Sequence, residues 1–303
     1  MRFILVFIFY FFVQNAFAKT NSLPPDTVKK TRTKKIVFGV TSTAVAAGSL
    51  IYLNQAWYKP FASGSFRFFN DGNEWLQMDK AGHFWTNYQI GRLMMQSMSW
   101  AGFPRDKCEM IGGASGLFYM TAIEIMDGFS SGYGFSWPDM CANTAGSFFV
   151  IAQQHFWQEQ RISVKYSFHQ TSFPQYRPNL LGSTFSEQIL KDYNGQTYWL
   201  SVNIASFLKK ENKFPKWLNV ALGYSASGMI SGDDNFVYIN PDKTIVGNNR
   251  YRKYLLSLDV DFTKIKTKSR FLKSVFSTVN CLKIPFPAIE LSNSKCSGHA
   301  LYF

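Results

Sequence analysis

The pattern of hydrophobic and polar positions changes character near residue 161. Before that point apolar residues recur at helical spacing, and beyond it they alternate along short runs. We therefore expect an α+β fold: an N-terminal, small-residue-rich bundle of about four helices, partly embedded in a membrane, followed by an antiparallel β-rich part. The helices are predicted at about 36–53, 80–100, 107–127 and 137–160.

The first of these segments, 36–53, is uncharged and reaches the minimum length for a membrane span. It is rich in Gly, Ala, Ser and Thr, which favour close packing between helices. We expect it to span a membrane or to lie half-embedded while packing on the next three helices. Gly112, Gly113 and Gly116 predict a close approach of another backbone to the third helix.

The β-rich part is predicted to contain six strands, at 162–168, 197–207, 217–225, 254–262, 284–291 and 300–303. Thr184 and Glu187 form a capping-box pattern that predicts a short helix. Residues 231–252 are polar and indicate a long surface loop. Residues 268–282 form a basic amphipathic helix, which either lies on an anionic membrane or covers one side of the sheet.

The N-terminus has the pattern of a secretory signal. A charged start and a short apolar run lead to Ala16-Phe17-Ala18, so we expect cleavage after Ala18, an uncleaved anchor being the alternative. The residue directly after that point is Lys19 and not a cysteine, so the sequence does not support a lipoprotein anchor. The predicted organisation is a signal at 1–18, a basic flexible lead-in at 19–35, a helical bundle at 36–160 and a β-rich part at 161–303.

The formal net charge is +13, and the excess lies mainly in three Lys/Arg clusters. In an exported chain such clusters meet anionic lipid headgroups before nucleic acid, so we expect a membrane partner, with an outer-membrane protein as a further one, and no nucleic acid. A solvated, solubilising surface is the alternative. The four cysteines are either paired as 108/141 and 281/296 or, for at least two of them, small buried hydrophobes.

Six polar side chains interrupt the apolar helical segments in pairs. Members of a pair are three or four residues apart, so they project from one side of their helix. Short connections place neighbouring helices antiparallel, and we expect the pairs to converge on one polar network. The pairs are Asp79 with His83, Glu124 with Asp127, and Asp139 with Asn143.

Most of these residues also have a structural explanation. Asp79 could be the N-cap of the second helix, Ser136 and Asp139 match a capping box, and His83 could be a hydrogen-bonded core residue. Glu124 and Asp127 fit none of these explanations, because carboxylates near a helix C-terminus are disfavoured by its dipole and need partners when buried.

Two functions follow from this set. The first is a structural or scaffolding role in the cell envelope, in which the network holds the helices in register. The second is a metal-assisted or acid–base hydrolase acting on an envelope lipid or glycan, with catalytic candidates His83, Glu124, Asp127 and Asp139 and metal candidates Asp79, His83, Glu124 and Asp127. The sequence contains no G-x-S-x-G, P-loop, H-E-x-x-H or C-x-x-C motif and identifies no cofactor.

The motifs around these residues resemble the YfiM-like family of predicted periplasmic proteins, domain of unknown function 2279. The matching segments are 78–83, 124–130, 135–139, 143–146, 191–200 and 256–261. The order D-x-x-G-H, E-x-x-D and D-x-x-x-N is also similar to small membrane proteins of the VanZ-like type. The resemblance implies a periplasmic location and that the six residues act together, and it implies no activity.

Overall fold

The computed structural model describes residues 27–54, 64–209, 211–233, 238–239, 245–246 and 249–303. Contacts divide the chain into two units. The sheet unit consists of residues 71–82 and 161–303, and the helical unit consists of the residues up to 70 together with 83–160. The fold is a mixture of helices and antiparallel sheet, as predicted. The arrangement of the N-terminal helices as a bundle stays a prediction.

The helices from the N-terminus to residue 157 largely follow the predicted segments. They are α1 at Thr27–Leu53, α2 at Met78–Trp100, α3 at Arg105–Lys107, α4 at Gly113–Gly128 and α5 at Trp137–Trp157. A π-helical stretch, Cys108–Gly112, joins α3 to α4, so the predicted third helix is interrupted. Ser136 caps α5 by accepting the N–H of Asp139, with Pro138 in the first turn.

The prediction of a flexible lead-in at 19–35 is wrong for residues 27–35, which form the first part of α1. Lysine and arginine are good helix formers, so the basic run extends the apolar helix. The last two residues of the basic run also contact residues at and after the end of α2. Lys34 donates to the carbonyl of Trp100 at 3.3 Å, and the ammonium of Lys35 lies 5.1 Å from the ring centre of Phe103. The predicted signal, 1–18, and residues 19–26 lie outside the described residues.

Within the helical unit, glycines bring α4 and α5 close to α2. A methyl group added to Gly116 would lie 2.6 Å from the carbonyl oxygen of Asn87, and one added to Gly146 would lie 2.4 Å from that of Phe84. Both distances are far inside van der Waals contact. The predicted close approach of another backbone is confirmed at Gly112 and Gly116, whereas at Gly113 the nearest atoms belong to the side chains of Ile151 and Met95.

The sheet unit contains a six-stranded antiparallel sheet. Its strands are β1 (Ile162–Phe168), β2 (Gln196–Val202), β3 (Leu218–Ser227), β6 (Tyr251–Val260), β7 (Phe286–Ser292) and β8 (Lys295–Tyr302), and they lie side by side in that order. The two short strands β4 (Tyr238–Ile239) and β5 (Ile245–Val246) pair with each other in the predicted polar loop. The two edge strands approach each other at one place: the centre of the His169 ring, just after β1, lies 5.9 Å from that of the Tyr302 ring in β8. The sheet is therefore curled.

Two predicted strands are too long at their C-terminal ends. β2 stops at Val202 because the Asn203 side chain accepts the N–H of Ser206 and starts a 3₁₀ turn at Ile204–Phe207. β6 stops at Val260 for the same reason, since Asp261 accepts the N–H of Thr263. Such side-chain bonds to the backbone compete with sheet pairing.

Three short helices complete the sheet unit: α6 at Pro178–Leu181, α7 at Phe185–Lys191 and α8 at Arg270–Val279. Thr184 caps α7 as predicted, by accepting the N–H of Glu187. The predicted basic amphipathic helix is present as α8, which begins after the N-cap Ser269.

None of the four cysteines, all of them described residues, forms a disulfide, so the pairings 108/141 and 281/296 are wrong. Cys108 and Cys281 are buried, as expected for small hydrophobes, whereas Cys141 and Cys296 are exposed.

Candidate functional site

Five of the six polar residues singled out from the sequence lie in the helical unit, and all five are buried. His83 is 5% exposed, Glu124 1%, Asp127 6%, Asp139 5% and Asn143 0%. Charged groups are rarely buried to this degree without partners, so their contacts determine what the site can do.

His83, on α2, lies between side chains of α5 and α4. Its Nδ1 lies 3.0 Å from Oδ1 of Asn143, and because that amide oxygen can only accept, Nδ1 donates. Its other ring nitrogen, Nε2, lies 3.7 Å from Oδ2 of the Asp139 carboxylate. Oε1 of Glu124 lies 3.7 Å from Nδ1. The imidazole is thus hydrogen-bonded to Asn143 and has a carboxylate near each nitrogen.

Two further residues join this set that the sequence analysis did not identify. Asn87 lies one turn after His83 on α2 and is fully buried. Its Nδ2 donates to the carbonyl of His83 at 2.9 Å and to Oδ1 of Asn143 at 2.5 Å, while its Oδ1 lies 3.5 Å from the hydroxyl of Ser147. Asn87 lies four residues after His83, and Ser147 lies four residues after Asn143. This helical spacing was the sequence feature from which both could have been predicted to join the set.

Glu124 is positioned by the N-terminus of α5. Its Oε2 accepts the N–H of Ser136, the N-cap residue of α5, at 3.3 Å. The carboxylate of Asp139, three residues after Ser136, lies 3.7 Å from Nε2 of His83. A carboxyl group at a helix N-terminus also lies at the favourable end of the helix dipole.

Burial raises the pKa of Glu124 to about 8, because the charged form loses its hydration. His83 acts in the opposite direction, and the carboxylates of Asp139 and Asp127 raise the pKa further. Glu124 is therefore largely protonated at neutral pH, beside a histidine that faces a second acid. Oε1 of Glu124 and Nδ2 of Asn143 are buried and have no hydrogen-bond partner among the described residues.

Asp79 belongs to the sheet unit, although it lies one helical turn before His83. It is not the N-cap of α2, which begins at Met78, but lies in its first turn. Its carboxylate accepts the hydroxyl of Tyr193 at 2.7 Å and lies 3.2 Å from Nζ of Lys80. Lys80 also pairs with Asp71 at 2.8 Å.

This arrangement could perform proton exchange or bind a cation. Glu124 supplies a proton that is exchangeable near neutral pH, and His83 and Asp139 offer an imidazole nitrogen and a carboxylate oxygen. An open hollow of about 550 Å³ lies in the same unit, lined by Phe68, Phe69, Asn70, Trp137, Pro138 and Cys141. None of the five buried residues lines it.

The exterior of the helical unit is uncharged over a long stretch. The charged residues from 108 to 158 are the acids at 109, 124, 127 and 139, and all four are buried. The exposed positions include Phe118 and Phe148, each 69% exposed. Among the described residues, one helix, at Thr31–Leu53, is long and apolar enough to cross a membrane; only 6% of its apolar window is buried, and a signal sequence near an N-terminus meets the same criterion.

Comparison with known proteins gives one family. Residues 67–154, which include all six predicted site residues, match the family model DUF2279, described as a predicted periplasmic lipoprotein. The word lipoprotein describes the family and not this chain. The first cysteine of this chain is Cys108. No curated protein and no solved structure matches the chain. The segment that contains the site is therefore similar to a family of predicted periplasmic lipoproteins, which is consistent with an exported, periplasmic or envelope-associated protein.

Proposed function

We propose that the protein is a structural component of the cell envelope whose helical unit is embedded in lipid, and that its buried polar network holds the helices in register. The observation that carries this proposal is the distribution of charge between residues 108 and 158. Every acidic residue there is buried, and no exposed position carries Asp, Glu, Lys or Arg; the exposed His155 pairs with Glu109. A soluble helical unit of this size normally presents charged residues on its exterior.

The character of the buried residues supports the same conclusion. Ionisable residues inside a membrane face the protein interior and pair with one another or with backbone groups. His83 and Asn143 connect α2 to α5, and Glu124 connects α4 to the first turn of α5. Each bond depends on the rotation of both helices about their axes, so the set specifies one register.

Aromatic residues at one end of the helical unit fit the level of lipid headgroups. Phe66, Phe68, Phe129 and Trp137 are all exposed, and the rings of Phe68 and Trp137 stack with centres 6.0 Å apart. Tryptophan concentrates at membrane–water interfaces because its ring is amphipathic, and the exposed phenylalanines beside Trp137 add apolar surface at the same end.

Alkaline extraction of membranes that contain the exported full-length chain tests this proposal. The wild-type protein should stay in the pellet, as an embedded protein does. The double variant Phe118→Asp with Phe148→Asp should be released to a much greater extent, because carboxylates on that exterior oppose contact with hydrocarbon. Glu211→Gln, at an exposed position of the sheet unit, is the matched control and should behave as wild type. Complete release of the wild-type protein would contradict the proposal.

A second function, an acid–base or metal-assisted hydrolase of an envelope lipid or glycan, is favoured by one observation. Glu124, with its pKa raised to about 8, could exchange a proton close to the His83–Asp139 pair. Elemental analysis tests the metal version. A metal ion that co-purifies near one per chain and is lost in Asp139→Asn would favour it, whereas less than about a tenth of an ion per chain, unchanged in that variant, would remove it.

A further inference from the structure

One face of the six-stranded sheet is apolar and is exposed at positions on β2, β3, β6 and β7, whereas Val164 on β1 and Tyr198 on β2 are buried there. Paired positions on four successive strands form one row across it: Leu200 on β2, Leu222 on β3, Leu256 on β6 and Ile289 on β7. These side chains are 40%, 55%, 45% and 54% exposed. Neighbouring rows on the same strands add Leu258, Tyr254 and Leu291, all exposed as well. We call this set the outer leucine face.

The opposite face of the sheet is buried and contains both an apolar cluster, which includes Trp199 and Leu255, and charged groups. Nζ of Lys165 on β1 lies 2.7 Å from Oδ2 of Asp259 on β6, and both side chains are fully buried. The same carboxylate oxygen accepts the hydroxyl of Ser201 at 2.6 Å, and that hydroxyl accepts from the amide of Asn219.

The outward face of the sheet thus differs from that of a sheet in water. An antiparallel sheet with one solvated face places polar residues on that face. Apolar residues that face outward on neighbouring strands are the arrangement of strands that face lipid. Seven exposed apolar residues on neighbouring strands also exceed the scattered hydrophobic residues of an ordinary soluble surface.

The charges at one end of the sheet indicate what covers this face. The β2–β3 loop at that end presents the exposed apolar residues Phe207, Leu208 and Trp217 together with the exposed lysines 209, 213 and 216. The segment that follows β6 at the same end adds Lys266 and Lys268, and α8 exposes Phe271 and Leu272 beside Arg270 and Lys273. Basic residues interspersed with aromatic ones complement anionic headgroups and the interface beneath them.

We propose that the outer leucine face rests against the hydrocarbon of an anionic membrane, with the β2–β3 loop and α8 at the headgroups. This proposal concerns the sheet unit and goes beyond the placement of the helical unit in lipid. Its occupant is lipid rather than a second copy of the chain, because the rim is strongly basic and two identical basic rims would repel each other.

Spin labels on the full-length chain test the proposal in vesicles of phosphatidylethanolamine and phosphatidylglycerol. The background carries Cys141→Ser and Cys296→Ser and keeps the buried Cys108 and Cys281. One sample adds Leu256→Cys, a second adds Ile289→Cys, and the control adds Ser186→Cys at an exposed position of α7. Labels at 256 and 289 should lose collisions with a water-soluble nickel complex and gain collisions with oxygen, whereas the label at 186 should keep its nickel collisions.

Two results would overturn the proposal. In the first, labels at 256 and 289 keep their nickel collisions in vesicles. In the second, they lose them together with spin–spin broadening that grows with protein concentration at fixed lipid, as contact between two copies would produce. A further label at Phe148→Cys reports on the helical unit alone, so failure of this proposal and failure of the proposed function give different results.

Discussion

The surroundings of a single residue, Glu124, have two opposing effects on the pKa of its carboxyl group. Its Oε2 accepts the N–H of Ser136 at the N-terminus of α5, which favours the charged form, whereas its burial favours the neutral form. Burial is the larger effect, so the pKa is raised to about 8. The sequence identified Glu124 as a residue without a structural explanation, but it could not supply this partner, which is twelve residues away.

The pH dependence of stability should contain the signature of Glu124. Between the unfolded pKa near 4.5 and the folded pKa of about 8, the folded state binds the proton more tightly than the unfolded state. This group therefore makes the free energy of unfolding fall as pH rises through that window, by about 1.4 kcal/mol per pH unit. Glu124→Gln should flatten the dependence, as measured by chemical denaturation between pH 5 and 8. An unchanged slope in Glu124→Gln, with Glu211→Gln as the control, would contradict the assignment.

His83→Gln should lower the melting temperature, because the buried amide oxygen of Asn143 and the Asp139 carboxylate lose their common neighbour. The expected cost is about 1–3 kcal/mol in the free energy of unfolding. His155→Gln is the matched control, since the His155 side chain is 65% exposed and pairs with Glu109 at the end of α5. An equal loss in the two variants would argue against a special role for the buried histidine.

The sequence alone could not show that Asn87 belongs to the buried network. Its place one turn after His83 was visible in the sequence, but a single amide in a helix is equally compatible with an exposed position. Only the contacts of Gly116 and Gly146 with α2 show that this part of α2 is enclosed by two other helices.

At the scale of elements, backbone contact at glycine determines how the helices pack. A methyl group on Gly146 would lie 2.4 Å from the carbonyl oxygen of Phe84, whereas one on Gly48 in α1 would meet nothing within 4 Å. The same substitution should therefore have opposite effects at the two positions.

Gly146→Ala should destabilise the protein by about 1–3 kcal/mol through overpacking. Gly48→Ala should leave stability unchanged or raise it by up to about 1 kcal/mol, because alanine is the better helix former. Chemical denaturation of both variants measures the difference. A Gly146→Ala protein as stable as Gly48→Ala would show that α5 and α2 can move apart without cost.

Helical periodicity predicted α2 and α5 to within a few residues, and alternation predicted β1 at its observed bounds. The errors occurred where one side chain overrides a pattern. Alternation continues beyond Val202 and Val260, but Asn203 and Asp261 bind the following backbone N–H groups and end the strands. The extension of α1 through Lys34 and Lys35 depends on contacts with Trp100 and Phe103, which are distant in sequence.

At the scale of the whole molecule, both units share one feature: buried polar groups combined with an apolar exterior. In the helical unit these are the His83 network and the uncharged surface of α4 and α5, and in the sheet unit they are the Lys165–Asp259 pair and the outer leucine face. The sequence predicted the change from helices to strands. It could not indicate which face of the sheet is buried, because alternation is the same whichever face points inward.

If the uncharged exterior of the helical unit faces lipid, position 148 should lie in hydrocarbon. A fluorophore attached at Phe148→Cys, in vesicles that contain lipids with quenchers at defined depths, tests this placement. We expect strong quenching by groups on the acyl chains and little quenching by iodide in the water. Full quenching by iodide with none from the acyl-chain quenchers, under conditions in which the protein sediments with the vesicles, would contradict it.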